Sequence, residues 1–491
     1  MEQTFELEMI KMRQNNLSLI LLLGCMLSRT AMAIDLPQMG LSANTVMSTV
    51  DEQELGEAFM RHVRRTENIV NDMEINHYFK DLGYRLASYS DNPEQDFHFF
   101  VIDESSINAF AVPGGFIGIH SGLILKTRSE SELASVLAHE IAHVTQRHIA
   151  RTVEATERLS VPTIAAIIAA AVLAGATGSP QAGQAALTAV MAGSVQMQIN
   201  FTRTHEKEAD RLGMQILAKS GLEPRDMPRF FERMQEATRF YGSGIPEFLR
   251  SHPVTTNRIA EARDRAEKYP VKQKVDRPLY HLMRAKLLVL ITDDKRALAN
   301  ILQNMLETRR YRDERAIRYA LALALLDTRQ TNTVQKQIDW LFQNDGDRVI
   351  YYLLQARLAL VQNNWAKAKK VYKQALEIYP GDKILGLDYA EKLLQNHVPR
   401  KAKAVLLGLS ADSNPDYYDL LARAYELTGA KAQSYLALAE KYYLIGYTQL
   451  AIEQLEMALK MDSLDFYLAS RIGARYKALQ AEWLSEQKAF K

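Results

Sequence analysis

Two histidines and a glutamate fall together once in this chain in a metal-binding spacing, His139-Glu140-Ile141-Ala142-His143. On an α-helix, which turns about 100° per residue, His143 stands about 40° round from His139 and Glu140 about 100°. All three side chains therefore leave the helix within one arc. Two neutral imidazoles one turn apart suit the tetrahedral shell of zinc, and a third protein ligand leaves one position for water. A zinc held this way draws the pKa of the water towards neutrality. The glutamate, not itself a ligand, takes the proton and passes it to a leaving amine. The chemistry implied is hydrolysis of a peptide bond; the bland alternative is a solvated helix face with two stray histidines. His148 lies nine residues past His139, about 180° round an unbroken helix, and so is expected to face away. Val144, Thr145, Gln146 and Arg147 separate it from His143, with no glycine to break the helix and swing it back.

The first helix supplies two ligands only. A second charged stretch, Phe201 to Gly213, offers the remainder: Glu206 and Asp210 are an i, i+4 pair on a helix that also spaces Ala209, Gly213 and Ile216 and stops at Gly221 before Pro224. One carboxylate completes the shell, and the other supports a ligating imidazole from behind. Glu208 and His205 compete for these roles. Glu208, about 200° from Glu206, is expected to face away, whereas His205, about 100° round, could reach the rim.

The elements that must position these groups are legible in part. Ser129 with Glu132 three residues on reads as a capping box, after which Leu133, Leu137, Ile141 and Val144 recur at helical spacing with no Pro or Gly before Pro162. Upstream, Val50 to about Tyr89 is helical, with Leu55, Phe59, Val63, and later Tyr78, Leu82 and Leu86 on one side. Two β-like runs follow, Phe97 to Ile102 and Asn108 to Ile124. In the second, Pro113-Gly114-Gly115 turns and Phe116, Ile117 and Ile119 continue extended. This run, opening at Asn108, is either an edge on which a peptide substrate lies as an added strand or an ordinary core hairpin.

At 491 residues the chain is long enough for two or more domains. A net charge of +2 with 24% charged residues points to no nucleic-acid or polyanion partner. Lys11 and Arg13 precede the apolar run Leu17 to Leu27, and Ala31-Met32-Ala33 offers a signal-peptidase site before Ile34. Export to the periplasm is the expectation. The alternative is lipid anchoring at Cys25, within Leu22-Leu23-Gly24-Cys25. Cys25 is the only cysteine, so if it leaves with the signal any zinc is held by His and carboxylate alone. No charge occurs between Arg158 and Arg203. Leu159 to Gly175 falls short of a membrane span, and a buried helical hairpin turning at Gly178-Ser179-Pro180 is expected, with peripheral membrane contact through 159–199 as the other reading.

With these residues placed, residues Val50 to Tyr269 resemble the peptidase group that includes the CAAX prenyl protease and the bacterial heat-shock protease HtpX. The resemblance rests on Asn108-Ala109-Phe110-Ala111 with Pro113-Gly114-Gly115, on His139-Glu140-x-x-His143, and on Glu206-x-x-x-Asp210. It implies His139, His143 and Glu206 as zinc ligands, Glu140 as general base and Asp210 as support behind a ligand. Members often carry His-Pro with an Arg a few residues on, which draws in Ser251-His252-Pro253 and Arg258. His252 is then either a surface histidine, or a group that approaches the metal to donate to the oxyanion or to fill the open position.

From about Arg277 the chain turns rich in alanine, leucine and tyrosine. Ala356, Ala390 and Ala424 are spaced 34 apart, as are Ala368 and Ala402, and Tyr372 and Leu406. This is the tetratricopeptide period, with weaker copies around Ala285, Ala297 and Ile301 and around Ala439, Ala451, Leu455 and Ala458. Tyr417, Tyr418, Tyr442 and Tyr443 would supply contact area if they line a concave face. The expected fold is mainly α: an α+β zincin-type metallopeptidase domain with a small sheet at 50–269, then an all-α repeat solenoid at 277–491. A signal peptide at 1–33 and a linker at 34–49 precede them. An exported zinc peptidase joined to such repeats resembles the family of periplasmic proteases that act in outer-membrane β-barrel assembly. The resemblance implies misassembled outer-membrane proteins as substrates and the barrel assembly machinery as partner.

Overall fold

The computed structural model describes residues 47–156, 203–240, 247–271, 275–328, 330–410, 414–461 and 464–489. The expected signal, the lipid-anchor alternative at Cys25 and the charge-free segment all lie outside them. Helix α1 (Thr49–Thr66) starts at a complete capping box between Ser48 and Asp51. Helix α2 (Met73–Ala87) starts at Asp72, whose side chain accepts from the Glu74 and Ile75 amides. Three short strands follow: β1 (His98–Ile102), β2 (Ala109–Val112) and, after a single turn of 3-10 helix at Pro113–Gly115, β3 (Phe116–His120). Gly114 and Gly115 hold φ of 76° and 82°, which the turn demands and which a Cβ resists. Extended structure ends at His120, and Ser121–Lys126 forms helix α3 instead of prolonging the strand to Ile124.

Strand order is β1-β3-β2, with β1 parallel and β2 antiparallel to β3. This corrects the expectation that Phe116, Ile117 and Ile119 form a substrate-binding edge. They lie on the central strand, in register with Val112, Ala111 and Ala109 on one side and with His98, Phe99 and Val101 on the other. Their backbone groups are committed to the sheet, and all three side chains are buried. Among the described residues, β2 is an edge strand of the sheet and packs against the helix at Glu130–Thr145. The Asn108 carbonyl accepts from the His120 amide, so by alternation Ala109 and Ala111 turn their backbone groups outward.

Helix α4 (Glu130–Thr145) runs through the centre, and every residue from Glu130 to Val144 is buried. Its N-cap is Ser129, as expected, but the Glu132 carboxylate reaches back to the Arg128 amide, one residue beyond a closed capping box. The helix does not continue to Pro162. Arg147 adopts a left-handed φ of 52°, and a separate helix α5 (His148–Thr156) follows. What holds a non-glycine residue there is its own side chain, with Nε 3.1 Å from Glu52 Oε2 and Nη2 2.7 Å from the Met47 carbonyl.

Helix α6 (Arg203–Lys219) packs directly on α4. The contact is made by small residues, with Ala142 and Ala209 fully buried against Leu212. At Gly213 an added Cβ would stand only 3.0 Å from the His139 nitrogen. Helices α7 (Asp226–Phe240), α8 (Glu247–Ser251) and α9 (Thr256–Glu267) follow.

Among the described residues, twelve helices follow: α10 (Pro278–Ile291) and α11 (Lys295–Glu307), which both pack on α12 (Glu314–Asp327), then α13 (Thr331–Asp345), α14 (Val349–Val361) and α15 (Trp365–Ile378). The array continues with α16 (Lys383–Gln395), α17 (Pro399–Leu407), α18 (Pro415–Leu427), α19 (Lys431–Leu444), α20 (Thr448–Leu459) and α21 (Phe466–Ala489). The 34-residue positions Ala356, Ala390, Ala424, Ala368 and Ala402 are all fully buried, where a small side chain lets paired helices approach. In the weak first copy the expected packing residues Ala297 and Ile301 are exposed. Leu298, Ala299 and Leu302 are buried instead, because that helix is rotated by one residue from the assumed register. Tyr417 is buried, while Tyr418, Tyr442 and Tyr443 pack against the apolar cores of the repeats. The apolar core runs unbroken from Val70 through Tyr280 and Leu287 to Leu358, so the division expected between 269 and 277 marks a change of sequence pattern within one packed core.

Candidate metal centre

Helix α4 brings in His139 and His143, α6 brings in Glu206, and His252 enters from the end of α8, its amide bonded to the Phe248 carbonyl. All four side chains are buried, and one donor atom from each lies within 4.8 Å of all the others. The separations are 3.0 Å for His139 Nε2 to His143 Nε2, 3.5 Å for His139 Nε2 to Glu206 Oε2, and 3.4 Å for His143 Nε2 to Glu206 Oε1. His252 Nδ1 is 3.0 Å from Glu206 Oε1 and 3.3 Å from His139 Nε2. A tetrahedral shell with bonds of about 2.0–2.1 Å has edges of about 3.3–3.4 Å. The residues therefore fit one small divalent ion, and two imidazole nitrogens facing each other this closely need a cation or a proton between them.

Glu140 stands beside this group, fully buried, and neither carboxylate oxygen meets hydrogen-bond geometry with any described residue. His252 Nε2 lies 3.6 Å from Glu140 Oε1. Burial raises the Glu140 pKa, against the lowering pull of His252 and His139. The backbone of Ala111, on the open side of β2, faces the same carboxylate. A basic oxygen pair next to a metal and an open strand is the arrangement a proton-accepting group needs.

Behind the donors, Arg258 grips Asp210 with two bonds of 2.8 Å and reaches Glu206 Oε2 at 2.8 Å. Asp210 Oδ1 lies 3.1 Å from His139 Nδ1, off the linear geometry of a hydrogen bond. Burial disfavours a charged His139, yet Asp210 and Glu206 prevail and hold its pKa at about 10. For His143 burial prevails and pushes the pKa far down despite Glu206. Burial also works against both carboxylates, but the neighbouring imidazoles keep Glu206 well below its ordinary range, and Arg258 with His139 lowers Asp210. The centre thus offers a carboxylate and imidazoles, the donor set expected of zinc.

Asn108 is buried at the entrance to β2, and its Oδ1 has no hydrogen-bond partner among the described residues. His252 was read as surface or site, and it is 1% exposed inside the cluster. The comparisons with known proteins agree with this geometry. Residues 74–266 match the model of Peptidase family M48, and 359–424 that of the Tetratricopeptide repeat. The chain is 34% identical over 447 residues to the Beta-barrel assembly-enhancing protease of Escherichia coli (strain K12), covering 91% of each. The chain belongs to the beta-barrel assembly-enhancing protease family. It is also 35% identical over 452 residues to a putative beta-barrel assembly-enhancing protease of Vibrio cholerae serotype O1, covering 91% of this chain and 93% of that one. A mitochondrial metalloendopeptidase OMA1, from Bos taurus, is 31% identical over 175 residues, 34% of this chain and 31% of the relative.

As a beta-barrel assembly-enhancing protease family member, the chain is a metallopeptidase with tetratricopeptide repeats. Among its described residues no helix is long and apolar enough to cross a membrane. His148 is not one of the four donors, as expected, but its direction differs from the one an unbroken helix would give. His148, expected to face away, is fully buried with Nδ1 2.8 Å from His143 Nδ1, because the turn at Arg147 redirects the chain. Glu208 does face away from the four donors, as expected, and binds His148 Nε2 at 3.1 Å and Arg151 at 2.9 Å. His205 stacks on His148, with centroids 4.4 Å apart. No sequence signal short of the backbone turn itself would have revealed this grouping.

Proposed function

We propose that the chain is a zinc-dependent endopeptidase in which His139, His143 and Glu206 hold the ion and Glu140 is the general base. The observation that carries this is the convergence of those donors beside the fully buried carboxylate of Glu140. Bound zinc supplies Lewis-acid polarisation of a water and of the scissile carbonyl. Glu140 accepts the proton as the water oxygen bonds to the carbonyl carbon, then returns it to the amide nitrogen as the C–N bond breaks. Asp210 and Arg258 hold the ligands in place. The substrate strand pairs with the outward backbone groups of Ala109 and Ala111, with Asn108 at the end of that run. Phe116, Ile117 and Ile119 support β2 from behind.

His252 Nδ1, 3.0 Å from Glu206 Oε1 and 3.3 Å from His139 Nε2, would take up the place on a bound ion that water or substrate needs. It rests there in the absence of substrate and withdraws on entry, which makes it a brake on the enzyme. His252→Ala then raises peptide turnover while zinc content holds. A fall in turnover assigns His252 to the oxyanion instead, and no change in either quantity removes it from the site.

The substrates are misassembled outer-membrane proteins in the periplasm, and the repeats dock on the barrel assembly machinery. What supports this is the likeness to beta-barrel assembly-enhancing proteases, together with the N-terminal export pattern. Peripheral membrane contact through 159–199 belongs to the same proposal. Metal analysis of the purified mature chain, with casein cleavage before and after chelation, tests the catalytic part. A chain that cleaves equally well without metal contradicts it.

A further inference from the structure

His139 and His143 are supported from behind in different ways. Asp210 stands at His139 Nδ1, 3.1 Å away, whereas His143 Nδ1 meets His148 Nδ1 at 2.8 Å. Two ring nitrogens at that distance share one proton, so one donates and the other accepts. If His143 is to bind an ion through Nε2, its proton must sit on Nδ1, and His148 Nδ1 must be the acceptor. His148 then carries its own proton on Nε2, where Glu208 Oε2 accepts it at 3.1 Å. Arg151 fixes the same Glu208 oxygen at 2.9 Å, and the His205 ring, 12° from parallel, holds the plane of His148. The left-handed turn at Arg147 is what delivers His148 to this place.

We infer that His148 and Glu208 are positioning residues that act through His143: the chain Glu208–His148–His143 fixes the tautomer and the ring orientation that expose the His143 Nε2 lone pair to the metal. The inference rests on the zinc reading above. It makes His148 an outer support equivalent to Asp210, but with an imidazole interposed because Glu208 lies on the far side of α6. Outer partners of this kind set metal affinity by about 10–100-fold.

The test is zinc affinity of the full mature chain, measured by competition with a chromophoric chelator, with far-UV circular dichroism as the check on folding. His148→Phe keeps the ring and removes the acceptor, and should bind zinc about 10–100-fold more weakly. His148→Asn places an amide oxygen near the lost Nδ1 and should restore affinity to within about threefold. Equal affinity in His148→Phe and the parent overturns the inference. So does an equal loss in both variants, which would make the ring itself, not its acceptor, the requirement. Should His148→Phe fail to fold, Glu208 decides, since its side chain is partly exposed. Glu208→Ala should weaken zinc binding and Glu208→Gln, which keeps the acceptor, should not; parent-like affinity in both overturns the chain. A parent that binds no zinc overturns the metal reading and this inference together, whereas a parent that binds zinc with an indifferent His148→Phe overturns this inference alone.

Discussion

The carboxylate of Glu74, at the start of α2 in the peptidase, lies 2.8 Å from Nζ of Lys286 in the first repeat helix. Tyr319 and Arg357, from two further repeat helices, each reach it at 3.0 Å. Glu74 is 3% exposed, so one buried anion ties three repeat helices to the peptidase. Removing one partner of a buried ion pair leaves the other uncompensated, at a cost of about 3–5 kcal/mol. Glu74→Gln should therefore lower the unfolding free energy from urea titration by that order, with a lower midpoint, and loosen the peptidase–repeat junction to limited proteolysis. An unchanged midpoint would mean that Lys286 finds enough from Asp72, 2.8 Å away.

The same residue predicts an acid-sensitive junction. Burial alone would raise the Glu74 pKa, but Lys286 and Arg357 outweigh it and bring it below 4.5. The unfolded chain then binds this proton more tightly than the folded chain. The stabilisation is complete above about pH 4.5 and is lost as pH falls through the lower, folded pKa. The stability difference between parent and Glu74→Gln should shrink as pH drops below 4.5. A difference that is flat down to pH 3 would show that Glu74 does not titrate in this window.

Glu140→Gln tests the proton acceptor without disturbing the donors. Peptide cleavage should fall by about 10²–10⁴-fold with zinc content unchanged. Because burial raises the Glu140 pKa, its ionised form costs the folded chain stability above pH 4.5, and the neutral amide should melt higher in the metal-free protein. A holding function carried by the repeats alone would survive the substitution, and cleavage at parental rate would dismiss Glu140 as the base.

How far the sequence disclosed all this depends on the range over which each feature is determined. His139, Glu140, His143, Glu206 and Asp210 were legible because i, i+4 spacing on one helix is local geometry, and each pair needed only its own helix to form. The repeat register was legible where Ala356, Ala368 and Ala390 recur, and slipped by one residue at Ala297, where the copy is degenerate. His148 was lost because its direction depends on Arg147, whose left-handed turn is held by Glu52 some 95 residues upstream. The substrate edge was assigned to Phe116, Ile117 and Ile119 because strand order is set by a crossover that no alternation pattern encodes. Glu74 gave no signal at all, since its partner Tyr319 is 245 residues away.

Gly213 sets how close the two ligand-bearing helices can come. On α6 it sits one turn beyond Ala209 and Asp210 and faces α4, where an added Cβ would meet the His139 nitrogen at 3.0 Å and the Ala138 carbonyl carbon at 3.1 Å. Both obstacles are backbone of a fully buried helix, so they yield little. Alanine asks for a shift of a few tenths of an ångström, whereas valine adds two methyl groups at the tightest point and must push α6 outward. Glu206 and Asp210 move with it, away from His139. Gly213→Val should therefore cost about 1–3 kcal/mol of stability and weaken zinc binding, with Gly213→Ala in between. Equilibrium unfolding and chelator competition measure the two effects side by side. Unaltered zinc affinity in a folded Gly213→Val chain would show that Glu206 is not held to the metal by the α4–α6 contact.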